Sequence, residues 1–140
     1  MTKVVVDASV AAKWLAPEPD SGAAEALLDE DLIAPDLLYA EVANILWKKW
    51  TRGEMTTDAV DAAVRWLLQL PVQIHDSASL FAESVALAQR LGHPAYDCFY
   101  LAVAVRADCR LVTADRRLYE RCGRDDAGTL RGRVGLLITS

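Results

Sequence analysis

Cysteine is scarce in this chain of 140 residues: Cys98, Cys109 and Cys122 form an odd set with no C-x-x-C spacing. That excludes a disulfide framework and a thiolate zinc site. The only histidines are His75 and His93, which read as a strand-end and a loop residue rather than as metal ligands. Lysine is missing altogether from residues 54–140. No apolar run comes near the roughly 20 residues that cross a bilayer. The short stretch after Met1-Thr2-Lys3 meets Asp7 too soon for a secretory signal. The expectation is a cytoplasmic protein with reduced thiols and no membrane partner.

Apolar residues make up 53% of the chain and charged residues 25%, enough for a packed core and against disorder. The length fits one domain, taken as residues 1–140. The net charge of −5 argues against a protein that coats nucleic acid through overall basicity, but its distribution leaves room for a local positive strip. Residues 1–70 carry 6 Lys+Arg against 12 Asp+Glu, whereas residues 71–140 carry 9 against 8. Eight arginines fall between Arg106 and Arg133.

Val4-Val5-Val6 is β-branched without helical periodicity and reads as a buried strand ending at Asp7. Helices are expected over 8–15 and 21–28, then a strand at Leu32-Ile33-Ala34. Pro35-Asp36 can open a helix running to Trp50 or Thr51, with Pro in its first turn. Thr56-Thr57-Asp58 can cap a further helix to Leu70, where Pro71 stops it. A strand at Val72-Gln73-Ile74, helices over 77–91 and 95–106, a strand at 110–113, a short helix over 115–122, a polar loop and a last strand at Val134 to Ile138 complete the order. Alternating strands and helices give an α/β fold, a three-layer sandwich around a mostly parallel sheet.

In such sheets functional groups gather beyond the carboxyl ends of the strands. Asp7, Asp36, Asp76 and Asp115 all follow candidate strands, and position alone does not choose among them, since a strand-end Asp often just caps a helix. Asp97 precedes the apolar run Cys98-Phe99-Tyr100-Leu101-Ala102-Val103-Ala104-Val105, a helix buried on most sides, where a charge needs donors, a cation or a wet cleft. Glu41, Asn44 and Lys48 fall on one polar stripe at i, i+3 and i+7. An aspartyl phosphatase would place a second Asp where Ser9 stands. A phospho-receiver domain would need a late Lys, and there is none.

The segments Val5-Val6-Asp7-Ala8-Ser9, Pro35-Asp36-Leu37-Leu38-Tyr39-Ala40-Glu41-Val42-Ala43-Asn44, Tyr96-Asp97-Cys98-Phe99-Tyr100-Leu101-Ala102 and Leu111-Val112-Thr113-Ala114-Asp115 resemble, in order and spacing, the PIN-domain ribonucleases, and within them the VapC toxins of toxin–antitoxin pairs. The resemblance covers nearly the whole chain. It implies a PIN-like fold and an acidic cluster of Asp7, Glu41, Asp97 and Asp115, with Ser9 and Thr113 as supporting hydroxyls. Cys98 stands where the family commonly has a small residue.

Four converging carboxylates repel one another unless cations neutralise them. An all-oxygen set suits Mg²⁺ or Mn²⁺. Asp7 and Asp97 are expected to hold the principal ion, with Asp115 and Glu41 completing the sphere through water or a second ion. The expected activity is that of a metal-dependent endoribonuclease: a metal-activated water attacks an RNA phosphodiester, and the resemblance implies 3′-hydroxyl and 5′-phosphate ends. Arg116 and Arg117 are the expected substrate-binding residues, with Lys13 and Lys48 as further cations at the rim. The resemblance also implies a VapB-type antitoxin and a homodimer. The four tryptophans read by default as core, with Trp47 and Trp50 at i, i+3 as candidates for a partner groove. The alternative is a catalytically silent PIN-like scaffold that acts through protein binding.

Overall fold

The computed structural model describes residues 2–137. Five strands, β1 (Lys3–Val6), β2 (Asp31–Pro35), β3 (Val72–His75), β4 (Arg110–Thr113) and β5 (Val134–Leu136), form one sheet in the order β3-β2-β1-β4-β5. Every pairing is parallel. Seven helices connect them: α1 (Ala8–Leu15), α2 (Ser21–Ala26), α3 (Leu37–Thr51), α4 (Thr57–Gln69), α5 (Ser77–Leu91), α6 (Ala95–Ala107) and α7 (Arg116–Cys122). Among the described residues no helix is long and apolar enough to cross a membrane.

Alternation along the strands divides the core in two. Val5 lies in register with Ile33 on one side and Leu111 on the other, and all three pack with Leu38, Leu80 and Leu101 from α3, α5 and α6. Val4, Val6 and Leu32 pack instead with Val10 of α1 and Ala24 of α2. Successive side chains of a strand point to opposite faces, so two apolar faces demand helices on both and give three layers, as expected from the unbroken valine run. The α6 run is deeply buried at Cys98 and from Tyr100 to Ala104. Gly92, at φ +62°, ends α5 in the left-handed conformation that a side chain disfavours.

Several local expectations are corrected. Pro35 closes β2 instead of opening α3. The Asp36 N–H donates to His75 O of β3, so the Pro35 nitrogen faces the β1 side, where pairing already ends at Val5 and Ile33. The missing donor therefore costs no ladder bond. The stretch expected as the end of the second helix is a 3₁₀ turn at Leu27–Asp29, and the polar loop before β5 contains another at Asp125–Leu130. The last strand spans Val134–Leu136, and Ile138 lies outside the described residues. The tryptophans are not mainly core: Trp47 is 57% and Trp50 49% exposed, and Trp66 is also exposed. Trp14 is half-buried, its Nε1 donating to Ala24 O at 2.7 Å. Trp47 and Trp50 line an apolar groove of about 360 Å³ with Leu46, Val60 and Val64, between α3 and α4.

Leu101 is fully buried in α6, whereas Leu68 on α4 is 68% exposed. Urea melts should show Leu101→Ala destabilised by about 2–5 kcal/mol and Leu68→Ala changed by less than about 0.5 kcal/mol. Equal effects would contradict the assignment of α6 to the core.

Candidate active site

The order β3-β2-β1-β4-β5 reverses direction at the β1/β4 boundary. The loops leaving those two strands diverge to opposite sides there and open a crevice at their carboxyl ends. Asp7 leaves β1 and caps α1, accepting from Val10 N–H at 3.2 Å. Asp115 leaves β4 and caps α7, accepting from Arg117 N–H at 2.9 Å. Glu41 comes from α3 and Asp97 from the first turn of α6. These four acids line a single open cavity of about 560 Å³, together with Ser9, Asn44 and Tyr96. The other two strand-end acids serve as local braces. Asp36 Oδ1 accepts from Ser77 N–H and hydroxyl, and Asp76 caps α5 through Ser79 N–H.

Asp7 is the most enclosed of the four, with 4% of its surface exposed. Ser9 Oγ donates to its Oδ1 at 2.5 Å, and the Thr113 hydroxyl donates to its Oδ2. Those hydroxyls accept in turn from the next loop: Ala114 N–H donates to Ser9 Oγ and Asp115 N–H to Thr113 Oγ1, each at 3.0 Å. Two hydroxyls thus tie the loop after β4 to the carboxylate after β1. Burial pushes the Asp7 carboxyl up to about 6, against the pull of its three donors and with a further push from the Asp97 charge.

Glu41 is also raised by burial and by the Asp97 charge, and opposed by Tyr100, whose hydroxyl donates to Glu41 Oε1 at 2.6 Å. Asp97 Oδ2 accepts from His93 Nε2 at 2.6 Å, since a carboxylate can only accept. Burial, followed by the charge of Asp97, pushes the Cys98 thiol up to about 12, so it is a packed side chain rather than a nucleophile.

Among the described residues no lysine or arginine pairs with any of the four acids. Nor do three His, Cys, Asp or Glu side chains gather closely enough to enclose one ion by themselves. The donors that line the cavity are carboxylate oxygens, which suit a hard divalent cation that keeps several waters and takes one or two carboxylates directly. They do not suit a soft metal that favours thiolate or imidazole ligands. Every acid donor is an oxygen, and Asp7 is a buried carboxylate lacking a cationic partner.

The cations expected at the rim fall differently. Lys13 is committed to Glu18 at 2.6 Å and Asp20 at 2.9 Å and does not line the cavity, which corrects its assignment. Lys48 and Arg116 are exposed and do not line it either. Arg117 lines a neighbouring cavity. Sequence reasoning missed Tyr100 and Tyr96 and set His93 aside as a loop residue, whereas Asn44 was already on the stripe with Glu41. Tyr100 lies at i+3 from Asp97 on the same face of α6, so helical spacing was the available signal for it, whereas His93 precedes the helix and offered no such signal.

The chain matches the PIN domain family model over residues 4–124. It is 35% identical over 123 residues to a curated relative, Ribonuclease VapC3 of Pyrobaculum aerophilum, covering 85% of this chain and 94% of that one. It is 36% identical over 118 residues to a Ribonuclease VapC3 of Mycobacterium tuberculosis, covering 83% and 85%. Among solved structures, a Pyrobaculum aerophilum protein superposes with a TM-score of 0.68 at 24% identity, over 86% of this chain and 79% of that one. A toxin–antitoxin complex from Klebsiella pneumoniae gives 0.64 at 15% identity, over 98% and 99%. With the family model spanning most of the sequence and curated relatives above 30% identity, this chain belongs to the PIN-domain family, among the VapC ribonucleases.

Proposed function

We propose that the protein is a metal-dependent endoribonuclease acting as the toxin of a toxin–antitoxin pair. The observation that carries the reading is the cavity in which acids from four separate elements meet without a lysine or arginine among them. Asp7 and Asp97 would hold a Mg²⁺ or Mn²⁺ ion directly, with Glu41 and Asp115 reaching it through water. When bound, such an ion offsets the cluster's negative charge, acidifies water and neutralises phosphate oxygens.

The chain's own residues then divide the remaining work. Ser9, Thr113 and Val10 N–H fix Asp7 in one orientation, Tyr100 fixes Glu41, and His93 fixes Asp97. Such preorganised oxygens need no rearrangement as the reaction proceeds. Water adds to phosphorus as the bond from phosphorus to the 3′ oxygen breaks, leaving a 3′-hydroxyl and a 5′-phosphate. Neither Ser9 nor any cysteine acts as a nucleophile. Tyr96, 65% exposed at the cavity, offers a face on which an unpaired base can stack, which favours single-stranded or looped RNA.

Two curated relatives are named ribonucleases and one similar fold comes from a toxin–antitoxin complex. Both support a VapB-type antitoxin as partner, and we extend the reading to a homodimer as the assembly. The exposed tryptophan groove between α3 and α4 is a seat of suitable chemistry for an apolar antitoxin segment.

Purified protein should cut assorted RNAs with Mg²⁺ or Mn²⁺ and lose that activity in EDTA. Asp7→Asn and Asp97→Asn should each slow cleavage at least about a hundredfold, a few kcal/mol in the barrier, while circular dichroism stays unchanged. Equal cutting in EDTA, or by both variants, would overturn the mechanism. RNA left intact under every metal condition would return the silent-scaffold alternative.

The raised carboxyl of Asp7 also has a consequence for stability. Between the unfolded value of 3.8 and the folded value of about 6, the folded state keeps a proton that the unfolded state has lost. Stability therefore falls as pH rises through that window, and the loss levels off above it. In EDTA at about pH 7.5, Asp7→Asn should be more stable than wild type by about 1–3 kcal/mol in urea melts. The gap should close as pH falls towards about 4. A pH-independent difference would contradict the buried, uncompensated charge.

A further inference from the structure

Beside the acidic cavity lies one of opposite character. About 340 Å³ in volume, it is walled by His93, Arg117, Glu120, Arg121 and Arg124 with the backbone turn at Gly92. Arg117 and Arg121 share one face of α7 at i and i+4, and Arg124, in extended backbone just past the helix end, lines the same cavity. Arg121 is anchored, its Nε donating to Leu91 O at the end of α5. Arg117 and Arg124 are exposed, and neither forms an ion pair among the described residues. Glu120 is the one acid among the described lining residues.

Two hydrogen bonds join this cavity to the acidic one. His93, on the arginine side, donates to Asp97 on the acid side at 2.6 Å. Arg117, on the arginine side, donates its backbone N–H to Asp115 Oδ1 on the acid side at 2.9 Å. A polyanion lying across these seams would meet acids on one side and guanidinium groups on the other.

We infer that the arginine-lined cavity is a subsite for an RNA backbone phosphate flanking the one that is cut. The inference rests on the nuclease reading and adds to it the place where the strand is held. Guanidinium groups match phosphate oxygens through paired donors, and phosphate contacts set register without reading bases. In a protein of net charge −5, an acidic cavity does not attract RNA by itself. A cationic anchor bonded to its wall supplies the attraction where it is needed and leaves the cleavage site free.

The test is equilibrium binding of a single-stranded RNA oligonucleotide in EDTA, where cutting is suppressed, as a function of KCl concentration. Arg117→Gln/Arg124→Gln should weaken binding about tenfold and make the slope of log K against log salt shallower by about 0.7, the value for one phosphate on a single strand. Arg117→Lys/Arg124→Lys should keep the slope. Arg52→Gln/Arg65→Gln removes the same charge from exposed positions elsewhere and should leave the slope unaltered. An unchanged slope in the first pair, or an equal loss in the first and third, overturns the inference; an acidic protein as the occupant would give the first of these results. RNA bound with the expected slopes but never cut with metal keeps the subsite and rejects the nuclease. RNA cut normally with an unchanged slope does the reverse.

Discussion

The structure turns on one unfavourable act, the burial of the Asp7 carboxyl at the end of the central strand. Desolvation alone would drive such a group to stay protonated, and its rise to about 6 records that tendency. Three donors converge on it nonetheless, two of them hydroxyls that themselves accept from the loop after β4. The arrangement stabilises the ionised form only in part. The proposed divalent cation would supply what the donors do not, and with it the acids make chemical sense as a site.

The sheet order explains why these acids meet at all. A parallel sheet that reverses direction beside its first strand leaves a crevice where loops diverge, and β1 and β4 border it here. Asp7 and Asp115 arrive as helix caps at the two lips, while α3 and α6 each present one acid from a helical face. Capping does not compete with the catalytic role proposed for Asp7 and Asp115. The cap fixes the position of each carboxylate at the wall of the cavity that both acids line.

Much of this was legible in the sequence because it depends on local patterns. The valine run followed by Asp7, the alternation of strands and helices, and the order of the four acidic segments need no knowledge of distant contacts. Pro35 misled because a proline near a helix start resembles one that ends a strand, and only the register with β1 separates them. Lys13 was misplaced because proximity in sequence to Asp7 says nothing of Glu18 and Asp20, which claim its charge. The bond from Tyr100 to Glu41 spans 59 residues and could not be read locally. Trp47 and Trp50 sit at a spacing that suits either a core stripe or an open groove, and composition does not choose between them.

The four acids and the arginine-lined cavity together describe a surface of divided charge, one part proposed to take a cation and the other a phosphate, joined at His93 with Asp97 and at the Arg117 backbone with Asp115. The cation is the premise on which the catalytic reading rests. Calorimetric titration of the metal-free protein with Mn²⁺, in buffers of different ionisation enthalpy, measures binding and proton release together. The account predicts binding that releases a proton at and below about pH 6, strengthens as pH rises towards that value and levels off above it, and is lost in Asp7→Asn. Absence of binding, or binding equal in wild type and Asp7→Asn, would contradict it.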